Sequence, residues 1–136
     1  MKKIKIAFDV HGVITSDPEK YRKLMKALVD SELFEVWVIS GPRVIPVLNE
    51  LAEYDIMLGE HFHEIRTIVE YLLGQTSDFR VEYDEDLTER YYFDEWEWNT
   101  AKADICCEND IHILIDDTKE YQKYFEDSET LFFLKE

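Results

Sequence analysis

Three short apolar runs in this chain each end in a polar residue suited to chemistry, and that repeated ending constrains the fold more than any other feature. Ile4 to Phe8 runs into Asp9, Phe34 to Ile39 into Ser40-Gly41, and Ile111 to Ile115 into Asp116-Asp117. Near-continuous apolar runs of this length, rich in β-branched and aromatic residues, are the pattern of strands buried on both faces. Thr130 to Leu134 (TLFFL) is a fourth. Such strands form a parallel sheet covered by helices.

The intervening segments supply the helices. In SDPEKYRKLMKALVD, Asp17 can cap, Pro18 suits the first helical position, and Tyr21, Leu24, Met25 and Leu28 share one face. After the second strand, Pro42 opens a stretch whose Val44, Leu48, Leu51 and Ala52 follow helical spacing. Phe62, Ile65, Val69 and Leu72 predict a third helix ending at Gly74. Gln75 to Asn99 is acidic and aromatic, with alternation in FRVEYDE and ERYYFDEWEWN that predicts one or two short strands. Thr100 to Glu108 reads as a helix capped at Asn99 or Thr100. The expected fold is α/β: a single domain over 1–136, a Rossmann-like three-layer α/β/α sandwich with a mainly parallel central sheet.

Charge limits the partners. With 31 acidic against 15 basic residues the formal net charge is −16. A field of that sign repels phosphate backbones, and the densest basic stretch is only Lys20 to Lys26, so no nucleic-acid polymer is expected. A small phosphorylated ligand is compatible with it, because a divalent cation and a few oriented donors reverse the field locally. The apolar run after MKK is too short for a signal h-region, and no stretch approaches a membrane span. Cys106 and Cys107 are adjacent, which suits neither a disulfide framework nor a spaced zinc knuckle. A reducing cytoplasm is the expected compartment, with no membrane partner.

In open α/β sheets ligands bind beyond the carboxyl ends of the strands, so Asp9, Ser40 and Asp116 converge on one mouth. A central carboxylate as nucleophile, a second to hold Mg²⁺ and a hydroxyl for the phosphoryl oxygens are the components of phosphoryl transfer. Lys102 is the candidate cation: it falls in the expected first turn of a helix, where the macrodipole disfavours positive charge. Its alternative is a surface lysine paired with Glu95, Glu97 or Asp104.

Taken together, FDVHGVI, VWVISG, Lys102 in WNTAKADI, and ILIDD resemble, in order, the four motifs of the haloacid dehalogenase-like hydrolases, over about Ile4 to Asp117. The resemblance implies a Mg²⁺-dependent phosphohydrolase working through an aspartyl-phosphate at Asp9. It assigns phosphate binding to Ser40, Gly41 and Lys102, catalysis to Asp9, His11 and Lys102, and the metal to Asp9, Asp116, Asp117 and the carbonyl of His11. Gly12 would permit the sharp turn after the first strand.

His11 departs from the pattern, which has a second Asp there as general acid and base. A histidine keeps the carbonyl and a titratable ring, so acid–base work remains available. The competing reading is a catalytically impaired protein of the same fold that binds or regulates without turnover. A receiver-like phosphoacceptor is disfavoured, because the acidic pair comes late and Lys102 precedes it.

Spacing also bears on the substrate. The stretch from Asp9 to Ser40 barely holds a crossover helix, whereas that from Ser40 to Lys102 exceeds one, which places a small lid or lip within about 59–98 and makes the chain a nearly capless member of that family. Trp96, Trp98, Tyr91, Tyr92 and Phe93 from this insert pack on the core or stack on a substrate. WNTAKADI and ILIDD are nearest to the 5'-nucleotidase branch, which makes a nucleotide monophosphate the first expectation for the small phosphorylated substrate. His61 and His63 form an HxH pair without the spacing of a helical zinc site.

Overall fold

Strand β1 (Ile4–Phe8) lies at the centre of a five-stranded sheet, and every pairing in that sheet is parallel. The computed structural model describes residues 2–136. Beside β1 run β2 (Phe34–Ser40) on one side and β6 (Ile113–Asp116) on the other; β3 (Glu64–Thr67) and β7 (Leu131–Leu134) are the edges. The central strand carries Ala7 and Phe8 with no exposed surface, as expected of a strand covered on both faces.

Pleating divides the apolar residues between two cores. One contains Phe8, Val36 and Val38 and is covered by α1 (Pro18–Asp30) and α2 (Val44–Glu53) through Met25, Val47 and Leu51. The other contains Ala7, Trp37, Ile39 and Leu114. It is covered by α3 (Ile68–Leu73), α4 (Glu95–Glu108) and a 3-10 segment, Lys119–Phe125, through Ile68, Ala101, Ile105 and Tyr121. This is the expected Rossmann-like three-layer α/β/α sandwich. Among the described residues no helix is long and apolar enough to cross a membrane.

Several local expectations hold. Asp17 caps α1, its side chain accepting from the Lys20 amide, with Pro18 at the first helical position. The insert contains an antiparallel hairpin of β4 (Arg80–Tyr83) and β5 (Glu89–Tyr92), separate from the main sheet.

Two expectations need correction. The helix read from Phe62 to Leu72 is strand β3 followed by the short α3, because Trp37 to Ser40 on β2 offer free main-chain groups that Glu64 to Thr67 satisfy. The helix read from Thr100 begins at Glu95, capped by Asp94, whose side chain accepts from the Glu97 amide. Lys102 is therefore not in a first turn but midway along a helix, and the macrodipole argument for it does not apply.

Three histidines serve as main-chain clamps. His63 donates its amide to the Val36 carbonyl (2.8 Å) while its Nδ1 accepts from the Val36 amide (3.0 Å). His112 does the same with Lys5, and buried His61 with Met57. The HxH pair is thus engaged in strand and turn closure.

Candidate active site

The pleat of β1 and β6 carries two carboxylates to one place. Ala7 and Leu114 face α4, so Asp9 and Asp116, each two residues further on, continue that face beyond the apolar core. The Asp9 amide donates to the Ile115 carbonyl at 3.0 Å, which extends the ladder by one bond and fixes the strand end. Both side chains are buried.

Between them comes Lys102 from α4. One turn before Cys106, it lies on the face that carries Ala101, Ile105 and Cys106 into the same core. Its Nζ donates to Asp9 Oδ1 at 2.9 Å and to Asp116 Oδ2 at 2.5 Å, and the residue is only 3% exposed. The surface-lysine alternative is excluded. Burial disfavours the charged amine, but the two carboxylates raise its pKa above the ordinary lysine value. A lysine so placed is a fixed cation.

Asp9 balances opposing influences. Desolvation is the largest and raises its pKa; Lys102 lowers it and Asp116 raises it, leaving the carboxyl at about 6. A carboxylate so destabilised gains from any further positive charge. Asp116 spends its other oxygen, Oδ1, on the Thr118 amide at 2.9 Å, which holds its plane.

Asp117 completes an acidic group. Ligand atoms of Asp9, Asp116 and Asp117 all lie within 4.8 Å of one another, two of the residues buried and Asp117 exposed. Gly12, at φ +87°, makes room for Asp117: a Cβ there would stand 1.9 Å from its Oδ2. The glycine is required both by its left-handed backbone and by this approach.

Ser40 ends β2 with its side chain wholly buried. Its Oγ has no hydrogen-bond partner; among the described residues the other such buried side-chain atom is Glu97 Oε2, in the first turn of α4 where backbone amides favour negative charge. An unpartnered buried hydroxyl costs about 1–3 kcal/mol, and this one stands at the carboxyl end of β2, the strand beside β1. Gly41 follows, with Trp98 packed against it: a Cβ there would meet the indole at 3.2 Å.

His11 is set differently. Its Nε2 lies 2.8 Å from Glu50 Oε2 on α2 and its side chain is half exposed. The ring is not part of the acidic group, so the structure joins Asp9, Lys102, Asp116 and Asp117 and leaves the imidazole at the rim. Cys106 is buried, and its thiol is pushed up to about 12 chiefly by desolvation, an inert packing residue.

One participant, Tyr121, had no legible signal. The Tyr121 ring lies under the Lys102 ammonium, 5.5 Å from ring centre to Nζ, and its hydroxyl accepts from Trp98 Nε1 at 3.0 Å. Only the approach of the 3-10 segment to α4 creates these contacts. Trp98 continues outward through Phe93 and Tyr91, stacked at 6.2 and 6.3 Å, so the insert's aromatics form a ladder from the hairpin to the site. Trp96, by contrast, is 66% exposed.

The comparisons add the fold. No family model matches the chain, and no curated protein does. A crystal structure of an uncharacterized protein from Corynebacterium glutamicum ATCC 13032 Kitasato is similar with a TM-score of 0.58 and 14% identity, over 99% of this chain and 86% of that one. At that identity the likeness concerns the architecture.

Proposed function

We propose that this protein is a Mg²⁺-dependent phosphohydrolase of the haloacid dehalogenase-like type, acting on a small phosphorylated metabolite. The observation that carries the reading is the buried Lys102 bridging Asp9 and Asp116 at the carboxyl end of a parallel sheet. The unpartnered Ser40 hydroxyl at the neighbouring strand end supports it.

The residues fit the metal. Three carboxylates and one ammonium leave two formal negative charges, which one divalent cation cancels, and oxygen-only donors suit Mg²⁺. Asp9, Asp116, Asp117 and the His11 carbonyl would hold it. When bound it supplies charge neutralisation for the phosphoryl group.

Lys102 occupies Oδ1 of Asp9, which leaves Oδ2 to attack phosphorus in line. The new Oδ2–P bond forms as the ester P–O bond breaks, and the departing oxygen takes a proton from His11, whose ring must first leave Glu50. Water, its proton returned to His11, then cleaves the acyl phosphate to release inorganic phosphate and regenerate Asp9. Ser40 Oγ and the Gly41 amide donate to the phosphoryl oxygens, and Lys102 steadies their charge.

A second reading, a catalytically impaired protein of this fold that binds or regulates, is favoured by the His11 ring being paired with Glu50 rather than turned to Asp9. A phosphomonoester panel with Mg²⁺ separates the two. Turnover lost in Asp9→Asn supports the hydrolase; a panel inert throughout selects the binding protein.

A further inference from the structure

Next to the phosphoryl site lies a cleft of about 970 Å³ that the chemistry above does not use. Pro42, Arg43 and Ile45 at the start of α2 form one side, Val69 of α3 another, and Tyr91 of the hairpin with Trp98 of α4 the third. Two contacts set it beside Gly41, the residue after Ser40. Trp98 packs on Gly41, and the Val69 amide donates to the Gly41 carbonyl at 3.1 Å.

The charges of the cleft are already committed. Arg43 donates to Glu70 at 3.0 Å and to the Tyr91 hydroxyl at 3.2 Å, with Glu89 at 3.5 Å. Arg90, at its edge, donates from Nε to both carboxylate oxygens of Asp84 at 2.8 Å. A second phosphate entering here would find no unpaired cation and would face Glu70 and Glu89. What the walls offer is apolar and aromatic surface, with Ile45 66% exposed.

We infer that this cleft seats the leaving group, and that it selects phosphomonoesters whose leaving group is flat and uncharged over small polyols and over substrates bearing a second phosphate. The inference rests on the hydrolase reading for the word substrate, but not for the binding. Trp98 is the shared wall: one face borders the leaving group, while its N–H holds Tyr121 beneath Lys102.

The test uses the full chain with Mg²⁺ and two probes, 1-naphthyl phosphate and glycerol 1-phosphate, which share a phosphate and differ in the group it carries. Binding is read at the Trp98 indole N–H by NMR, identified by its loss in Trp98→Phe, and turnover is read in parallel. Naphthyl phosphate should move that signal at concentrations where glycerol phosphate does not. Ile45→Glu, an exposed position that leaves the core alone, should weaken naphthyl phosphate binding by about tenfold or more and lower the kcat/KM ratio of the two esters similarly. Equal response to both probes, or a naphthyl response unchanged in Ile45→Glu, overturns the cleft. Selective binding with both esters inert upholds the cleft and overturns the hydrolase.

Discussion

The carboxylate of Asp117 rests where the side chain of any residue other than glycine would stand at position 12, with Oδ2 1.9 Å from the Cβ that alanine would carry. The turn leaving β1 and the acidic end of β6 are thereby interlocked: one residue's missing side chain is the other's place. The φ of +87° at Gly12 adds a second demand that alanine meets poorly.

Gly12→Ala should therefore displace Asp117 and strain the turn, costing about 1–3 kcal/mol of stability. Because Asp117 is exposed, the fold should survive while Mg²⁺ protection weakens. Urea unfolding with and without Mg²⁺ checks both. An unchanged Mg²⁺ increment would remove Asp117 from the metal site.

Asp9→Asn should stabilise the metal-free protein at pH 7.5, by on the order of 1–3 kcal/mol, since it removes a buried charge that desolvation and Asp116 oppose. It should also cancel most of the Mg²⁺ stabilisation. Chemical denaturation of both proteins in chelator and in Mg²⁺ measures this. A less stable Asn variant in chelator would mean that the Lys102 pair outweighs desolvation.

Mg²⁺ binding should weaken as pH falls through about 6, where Asp9 takes up its proton. The sign for stability is the reverse in chelator. Because the folded pKa of Asp9 lies above its ordinary value of 3.8, its contribution to stability is present below 3.8 and is lost as pH rises through about 6. Melting temperatures at pH 5 and 7.5, each with and without Mg²⁺, should show a larger metal increment at the higher pH. Equal increments would take Asp9 out of the metal's coordination.

Lys102→Met preserves most of the side chain's volume but leaves Asp9 and Asp116 buried without a cation, at a cost of about 3–5 kcal/mol. Protonation relieves such a cost, so the defect should shrink between pH 7.5 and pH 5. Denaturation at the two pH values checks it. A defect independent of pH would assign Lys102 a packing role.

His61→Ala should cost about 1–3 kcal/mol by removing a buried ring and leaving the Met57 amide without its Nδ1 acceptor in a part-buried turn. Turnover per folded molecule should not change. Urea unfolding of this variant checks the clamp, and a shift within error of wild type would mean that the amide finds another acceptor.

Much of this molecule is written in short-range pattern. The apolar runs ending in Asp9, Ser40 and Asp116 mark three of the sheet's strands, and TLFFL marks a fourth. Asp17-Pro18 identified a helix start, because capping is decided within one turn of chain. The four motif segments single out Asp9, Lys102, Asp116 and Asp117, which the fold brings together.

What pattern alone left undetermined involves partners distant in sequence. Phe62, Ile65 and Val69 suit a helix by spacing, yet β2 had an unsatisfied edge, and main-chain bonding made Glu64 to Thr67 a strand. Lys102 does not hold the first-turn position that local pattern suggests; the contact that matters spans 93 residues to Asp9. The unpartnered Ser40 hydroxyl, the Glu50 hold on His11 and the Tyr121 ring under Lys102 have no local signature. Burial, which turns Lys102 into a fixed cation and lifts the Asp9 pKa, is a property of how α4 lies on the sheet. Residue types and their order along the strands set the chemistry available, whereas desolvation and the meeting of distant side chains exist only once the layers have closed.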